Sequence, residues 1–302
     1  MGDGISSQDI ANFLNKKLIG EDLILEQIKP LDELGEFSFS FSKSKNIDCN
    51  IKCLILVPND VKFNDVNFSY INVDNPRLSF AKVIQEFFVK KVTYEINVST
   101  KLGKNCNISD NVSIGINCIL GDNVTIGEGT IINNSVVIYD NTIIGKNCYI
   151  KSGSVIGEDG FGFDFEEDGT PVRIPHTGRV KIGDNVEIGA KNTISRATLG
   201  TTLIESNVKI DDQVHIAHNC KIGKNTIITA CAEISGSVTI GKNCWIGPNC
   251  SIIQKVIIGD GSTIGIGSII TKDVESNKKI MGLESLELRP LLKVKKRIDY
   301  GK

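Results

Sequence analysis

An aliphatic residue recurs at every sixth position through most of this chain, and that period decides what the chain can fold into. Leu102, Ile108, Ile114, Leu120, Ile126, Ile132, Ile138, Ile144, Ile150 and Ile156 make the first run. The pattern resumes at Ile182, Ile188 and Ile194, slips by four residues, and continues unbroken from Ile204 to Ile270. Four residues after each, the slot is often small or β-branched, as at Val112, Cys118, Val124, Cys148, Val186, Val208 and Cys220. A period of six fits neither a 3.6-residue helix nor an uninterrupted two-residue alternation. It fits a left-handed parallel β-helix, in which three six-residue rungs close one triangular coil and the repeated aliphatic points inward.

The 302 residues leave room for this prism and one smaller domain. With 34 basic against 36 acidic residues the net charge is −2, so no whole-chain field favours nucleic acid. Six of the nine cysteines (Cys106, Cys118, Cys148, Cys220, Cys244, Cys250) occupy the small slot of the repeat. There they read as compact packing residues in a reducing compartment, which points to the cytoplasm. No stretch approaches the length of apolar sequence that a membrane span needs.

Residues 1–98 lack the period and are expected to form a small α/β domain. Ser6 and Asp9 make a capping box before Ile10, Phe13 and Leu14, while Asn75-Pro76 opens a second helix. The segments 37–41 and 53–57 read as strands. The β-helix is expected over 99–274, with an extended loop ejected at 158–179, where Gly160, Gly162, Gly169, Pro171 and Pro175 interrupt the repeat. A short basic helical tail over 275–302 completes the fold, which is mainly β. Flat prism faces pack well against copies of themselves, so a homotrimer is expected.

The chain has three histidines, His176, His215 and His218, and a general base at neutral pH is most often histidine. His215 and His218 bracket the inward Ile216, and His218 lies near a corner of the coil. From position alone, surface histidines in turns describe both equally well. A zinc site of the γ-carbonic anhydrase kind would need three converging histidines, and here the third lies in the ejected loop. An ice-binding prism would carry ordered threonine ladders, whereas the outward positions here are mixed.

Four stretches, 75–82 (NPRLSFAK), 156–163 (IGEDGFGF), 174–180 (IPHTGRV) and 215–219 (HIAHN), resemble the UDP-3-O-(3-hydroxyacyl)glucosamine N-acyltransferases of lipid A synthesis. The resemblance runs from residue 1 to the C-terminal segment. It implies an N-acyltransferase moving an acyl group from a phosphopantetheine thioester, on acyl carrier protein or coenzyme A, to a nucleotide-linked amino sugar. No permanently bound cofactor and no metal are implied. His218 takes the place of the family's base, with Asp211 or Asp212 expected to orient its ring, and Gly236 that of the glycine whose N–H meets the oxyanion. Phe41 would stack on the nucleotide base. Phe161 and Phe163 would cover the donor or its acyl chain, and His215 would either assist the base or merely flank it. The family's second histidine becomes Lys255, which reads as a solvated surface charge by default and otherwise as a partner for nucleotide or donor phosphates, and the remaining pyrimidine contacts become Ser44 and Ile47. Those departures leave open an alternative: an acyl-CoA-dependent enzyme acting on amino sugars of O-antigen or capsule.

Overall fold

The computed structural model describes residues 4–89 and 92–282. The chain divides into two compact units, residues 1–91 and 92–302.

The second unit is the expected parallel β-helix. Its walls are three parallel sheets of nine, nine and eight strands, most of them two residues long. Each strand pairs with the one 18 residues on, so that Ile114 lies against Ile132 and Ile132 against Ile150. The six-residue period is therefore one wall, and three walls make one coil. Two insertions leave this register intact. The ejected segment separates Ile144 from its partner Ile182, and the slip separates Ile194 from Ile216. Between these pairs the inward isoleucines still stack, which shows that the core tolerates extra chain only at the corners.

The inward residues from Ile114 to Ile270 are almost wholly buried and form one continuous core. Burying each such side chain stabilises the fold by roughly 1.5–3 kcal/mol. The small slot does more than fill space. Thr226 Oγ1 donates to the Gly241 carbonyl at 2.7 Å and accepts from the Cys244 N–H at 3.1 Å. Thr130 does the same with Gly145 and Cys148. The slot cysteines follow the same geometry, with Cys220 Sγ 3.2 Å from the Ser235 carbonyl and Cys244 Sγ 3.2 Å from that of Gly259. They are thus weak donors to the next coil as well as packing residues. Burial pushes the Cys220 thiol up to about 12, which keeps it protonated and inert.

The residue before this slot takes a left-handed backbone, with φ between 52° and 64° at Asn105, Asn117, Asn123, Asn141, Asn147 and Asn219 among others. Asparagine tolerates that conformation better than other residues with a side chain. The exposed asparagines also link coils, as in Asn207 to Asn225 at 3.1 Å and Asn225 to Asn243 at 3.0 Å.

Two details depart from expectation, and a third cannot be compared. The β-helix continues past 274 to a last strand, Lys279–Ile280, paired with Thr263–Ile264. The ejected segment is not extended throughout but holds an antiparallel hairpin, Phe163–Phe165 against Pro171–Arg173. The expected C-terminal helix lies outside the described residues.

In the first unit, the helix Ser7–Phe13 starts at the Ser6–Asp9 capping box. Five strands follow in the spatial order Leu18–Ile19, Ser69–Val73, Leu54–Pro58, Ser38–Phe41, Gln27–Ile28. The first pair is antiparallel and the others are parallel. Asn75 Oδ1 accepts from the Leu78 N–H at 3.1 Å and caps the helix Pro76–Val83, which ends in a π-helical turn over Ile84–Phe88. Phe39 is fully buried between this helix and the sheet, against Phe80 and Phe88.

Replacing Thr226 by valine keeps the shape of the slot but strands a buried carbonyl and a buried N–H. Chemical denaturation should show a loss of about 1–3 kcal/mol; an unchanged midpoint would mean that the slot hydroxyls serve only as filler.

Candidate active site

The His215–Ile216 strand belongs to the wall that runs from Lys101–Leu102 to Ile269–Ile270. Ile216 points into the core, the wall ends after it, and His218 stands at the corner beside the left-handed Asn219. Coil stacking brings Gly236 under His218 and Lys255 under Ser237. The Ser237 N–H donates to the His218 carbonyl at 2.8 Å, and the Lys255 N–H to the Gly236 carbonyl at 3.0 Å.

The hydrogen bonds of Asn219 determine the state of the His218 ring. Asn219 Oδ1 accepts from the N–H and Oγ1 of Thr198, each at 3.1 Å, while Nδ2 donates to the Leu199 carbonyl at 3.2 Å. These bonds fix which end of the amide is oxygen. His218 Nδ1 lies 2.9 Å from that oxygen, so Nδ1 carries the proton. The neutral ring then has its lone pair on Nε2, the arrangement a general base requires.

Gly236 is shaped to this ring. A Cβ there would lie 2.7 Å from His218 Cε1 and 2.8 Å from Nε2, so any other residue would displace the imidazole. Among the described residues the Gly236 N–H has no protein acceptor. One corner therefore presents a basic nitrogen and a free backbone donor.

The ejected segment returns to this corner. His176 packs edge-to-face on His218 with ring centroids 5.2 Å apart and an interplanar angle of 72°. Gly160 sits against both rings, because a Cβ there would be 3.0 Å from His176 Nε2 and 2.9 Å from His218 Cβ. The segment is anchored at its base by Arg196, whose Nε donates to the Gly157 carbonyl and lies 3.6 Å from Asp159. Arg173 meets the other oxygen of Asp159 at 3.6 Å. Next to them, a hydrogen bond to Glu158, with burial second, raises the Tyr139 phenol above its usual range.

The remaining expected residues are distributed as follows. His215 Nδ1 is 2.7 Å from Thr193 Oγ1 and its Nε2 is 3.9 Å from Glu233, so it faces along the outer wall. Asp212 Oδ1 accepts from the Ala190 N–H at 2.7 Å, and Asp211 Oδ1 from the Asp212 N–H at 2.8 Å. The aspartates therefore cap backbone, and the orienter expected there is instead Asn219. Lys255 holds a left-handed turn position. Phe161 and Phe163, both exposed, lie in the ejected segment with ring centroids 4.8 Å apart and planes tilted at 54°. In the N-terminal unit Phe41 is half-buried against Phe80 at 4.8 Å, and Ser42 and Ser44 form successive hydroxyl-capped turns after it. Sequence reasoning missed Asn219, His176 and Gly160. The first was adjacent to the base in HIAHN and the others lay in the two loop stretches already singled out. Among the described residues, no group of three potential metal ligands occurs.

The bacterial transferase hexapeptide (six repeats) model matches residues 123–158, 201–236 and 237–272. The chain is 39% identical over 311 residues to a UDP-3-O-acylglucosamine N-acyltransferase of Campylobacter lari, covering 96% of each. It is 58% identical to that of Chlorobium chlorochromatii over 76 residues, a match spanning 25% of this chain and only 21% of the relative. The crystal structure of Francisella novicida UDP-N-acetylglucosamine acyltransferase superposes with a TM-score of 0.58 at 29% identity, covering 63% of this chain and 67% of that one.

If Asn219 sets the tautomer, replacing it by leucine should leave the His218 ring a mixture of Nδ1–H and Nε2–H forms. Ring ¹⁵N spectra, simple with three histidines, would show this; a single unchanged tautomer would contradict it.

Proposed function

The chain belongs to the UDP-3-O-acylglucosamine N-acyltransferase family, and from that premise we propose that it acylates the amine of a nucleotide-linked amino sugar, as in lipid A synthesis. The acyl donor is a phosphopantetheine thioester, carried by acyl carrier protein or coenzyme A, and it acts as co-substrate. No resident cofactor takes part.

The observation that carries this reading is the corner where His218 Nε2 lies against Gly236, whose N–H has no protein acceptor among the described residues. The amine nitrogen attacks the thioester carbon, forming the C–N bond while the carbonyl π electrons move onto oxygen. The Gly236 N–H receives that oxyanion, a preorganised donor of a kind commonly contributing about 3–4 kcal/mol. His218 Nε2 takes the proton that the nitrogen must lose. The C–S bond then breaks, and His218 returns the proton to the departing thiolate. Asn219 holds the ring in its working tautomer throughout, and the imidazolium keeps both N–H donors engaged.

Phe161 and Phe163 offer apolar surface to the donor's acyl chain. Lys255 supplies a cation for phosphate, and Phe41 one ring face for the nucleotide base, its other face being taken by Phe80. His215 lines the outer wall. The chain works as a homotrimer, flat prism walls packing against copies of themselves. Nine free cysteines suit the reducing cytoplasm, and among the described residues no helix is long and apolar enough to cross a membrane.

His218→Ala should lower turnover about 10²–10⁴-fold in a mass-spectrometric assay pairing UDP-linked amino sugars with hydroxyacyl carrier protein or acyl-CoA. Undiminished turnover would remove His218 from the mechanism. The donor that supports transfer identifies the carrier.

A further inference from the structure

His176 is the one buried imidazole in the described chain, 5 % exposed, and half of its polar chemistry is unaccounted for. Its Nδ1 is 3.0 Å from the Ile174 carbonyl, an acceptor only, so Nδ1 carries the proton and the lone pair resides on Nε2. Nε2 is buried without a hydrogen-bond partner. A buried polar atom left in this way costs about 1–3 kcal/mol and calls for a reason.

The surroundings of Nε2 supply one. The point 3.0 Å from His176 Nε2, where a Gly160 Cβ would stand, is also 3.0 Å from His218 Cδ2. Cδ2 is the ring carbon bonded to the basic nitrogen. The lone-pair end of His176 and the edge of the basic ring thus flank the same glycine, within the edge-to-face packing described above. The donation from Nδ1 to Ile174 aligns the ring dipole so that its negative end is at Nε2.

We propose that His176 is a positioning residue for His218: it holds the base's ring edge-on and presents a neutral, electron-rich nitrogen to the positive charge that His218 gains in the acyl transfer. While His218 is neutral the two rings attract each other only weakly. Once His218 is protonated, the negative end of the His176 ring dipole, beside Gly160, stabilises that charge through space. The stabilisation is greatest at the moment of transfer and acts on turnover rather than on substrate binding. Gly160 is then required at its position because a side chain would separate the two rings.

This inference rests on the acyltransfer reading, so its test is built to separate the two. His176→Leu keeps an apolar side chain in the space and removes the nitrogens. His176→Gln restores an acceptor near the place of Nε2. The leucine variant should lose about ten- to a hundredfold in kcat, with KM within about twofold of the native enzyme. Glutamine should recover most of that loss, and both variants should melt within a few degrees of the native protein. A leucine variant with native kcat, or a glutamine variant as impaired as leucine, would overturn the proposal.

Ring ¹⁵N spectra decide the matter independently of activity. In the native protein His176 should show Nδ1–H and a bare Nε2, and His176→Leu should shift the His218 signals while leaving those of His215. An Nε2–H form of His176, or unmoved His218 signals, would overturn the proposal even if the native protein acylated none of the sugars offered, the result that would instead sink the functional reading.

Discussion

The stacking of one inward isoleucine on another, 18 residues further along, is the contact on which the rest of the β-helix depends. A two-residue strand is too short to be stable alone, and each wall segment here holds only because coils above and below bury its aliphatic and pair its backbone. The same stack explains why the chain can carry a twenty-residue ejection without losing register. Extra residues leave at a corner, where no inward side chain is displaced, and the next isoleucine returns to its column.

That constraint turns corners into the places where chemistry is free to vary. Walls must repeat; corners need only a left-handed residue and a satisfied backbone. At the His218 corner the left-handed residue is Asn219, whose amide has a second task. Its oxygen takes two bonds from Thr198 and one from His218, so the four-residue slip that places Thr198 there also sets the tautomer of the His218 ring. The corner below carries Gly236, without which the imidazole could not lie where it does. Rigid stacking fixes the vertical spacing of these groups.

The architecture was legible because its signal is repeated: one misplaced isoleucine means little, but a column of them admits few folds. The N-terminal elements were legible from punctuation, Ser6 with Asp9 and Asn75 with Pro76, which mark helix starts through specific capping bonds. Position alone left His218 ambiguous, and only a family resemblance distinguished it from a turn histidine. The packing of His176 on His218 could not be read at all. It lies 42 residues before His218, in a segment that breaks the period, and nothing in the spelling of a loop says where it comes back. The aspartates at 211 and 212 belong to the same stretch, but the structure puts the neutral amide of Asn219 against the ring and leaves the carboxylates on backbone N–H groups. Such an amide is passed over because its value lies in geometry.

The central claim is that the amine to be acylated reacts between His218 Nε2 and the Gly236 N–H. A crystal structure with a UDP-linked 2-amino sugar bound tests it most directly. The account predicts the amine nitrogen within hydrogen-bonding distance of His218 Nε2, with the Gly236 N–H open toward the side from which a thioester would approach. An amine held elsewhere on the prism, with His218 touching only solvent or protein, would contradict it.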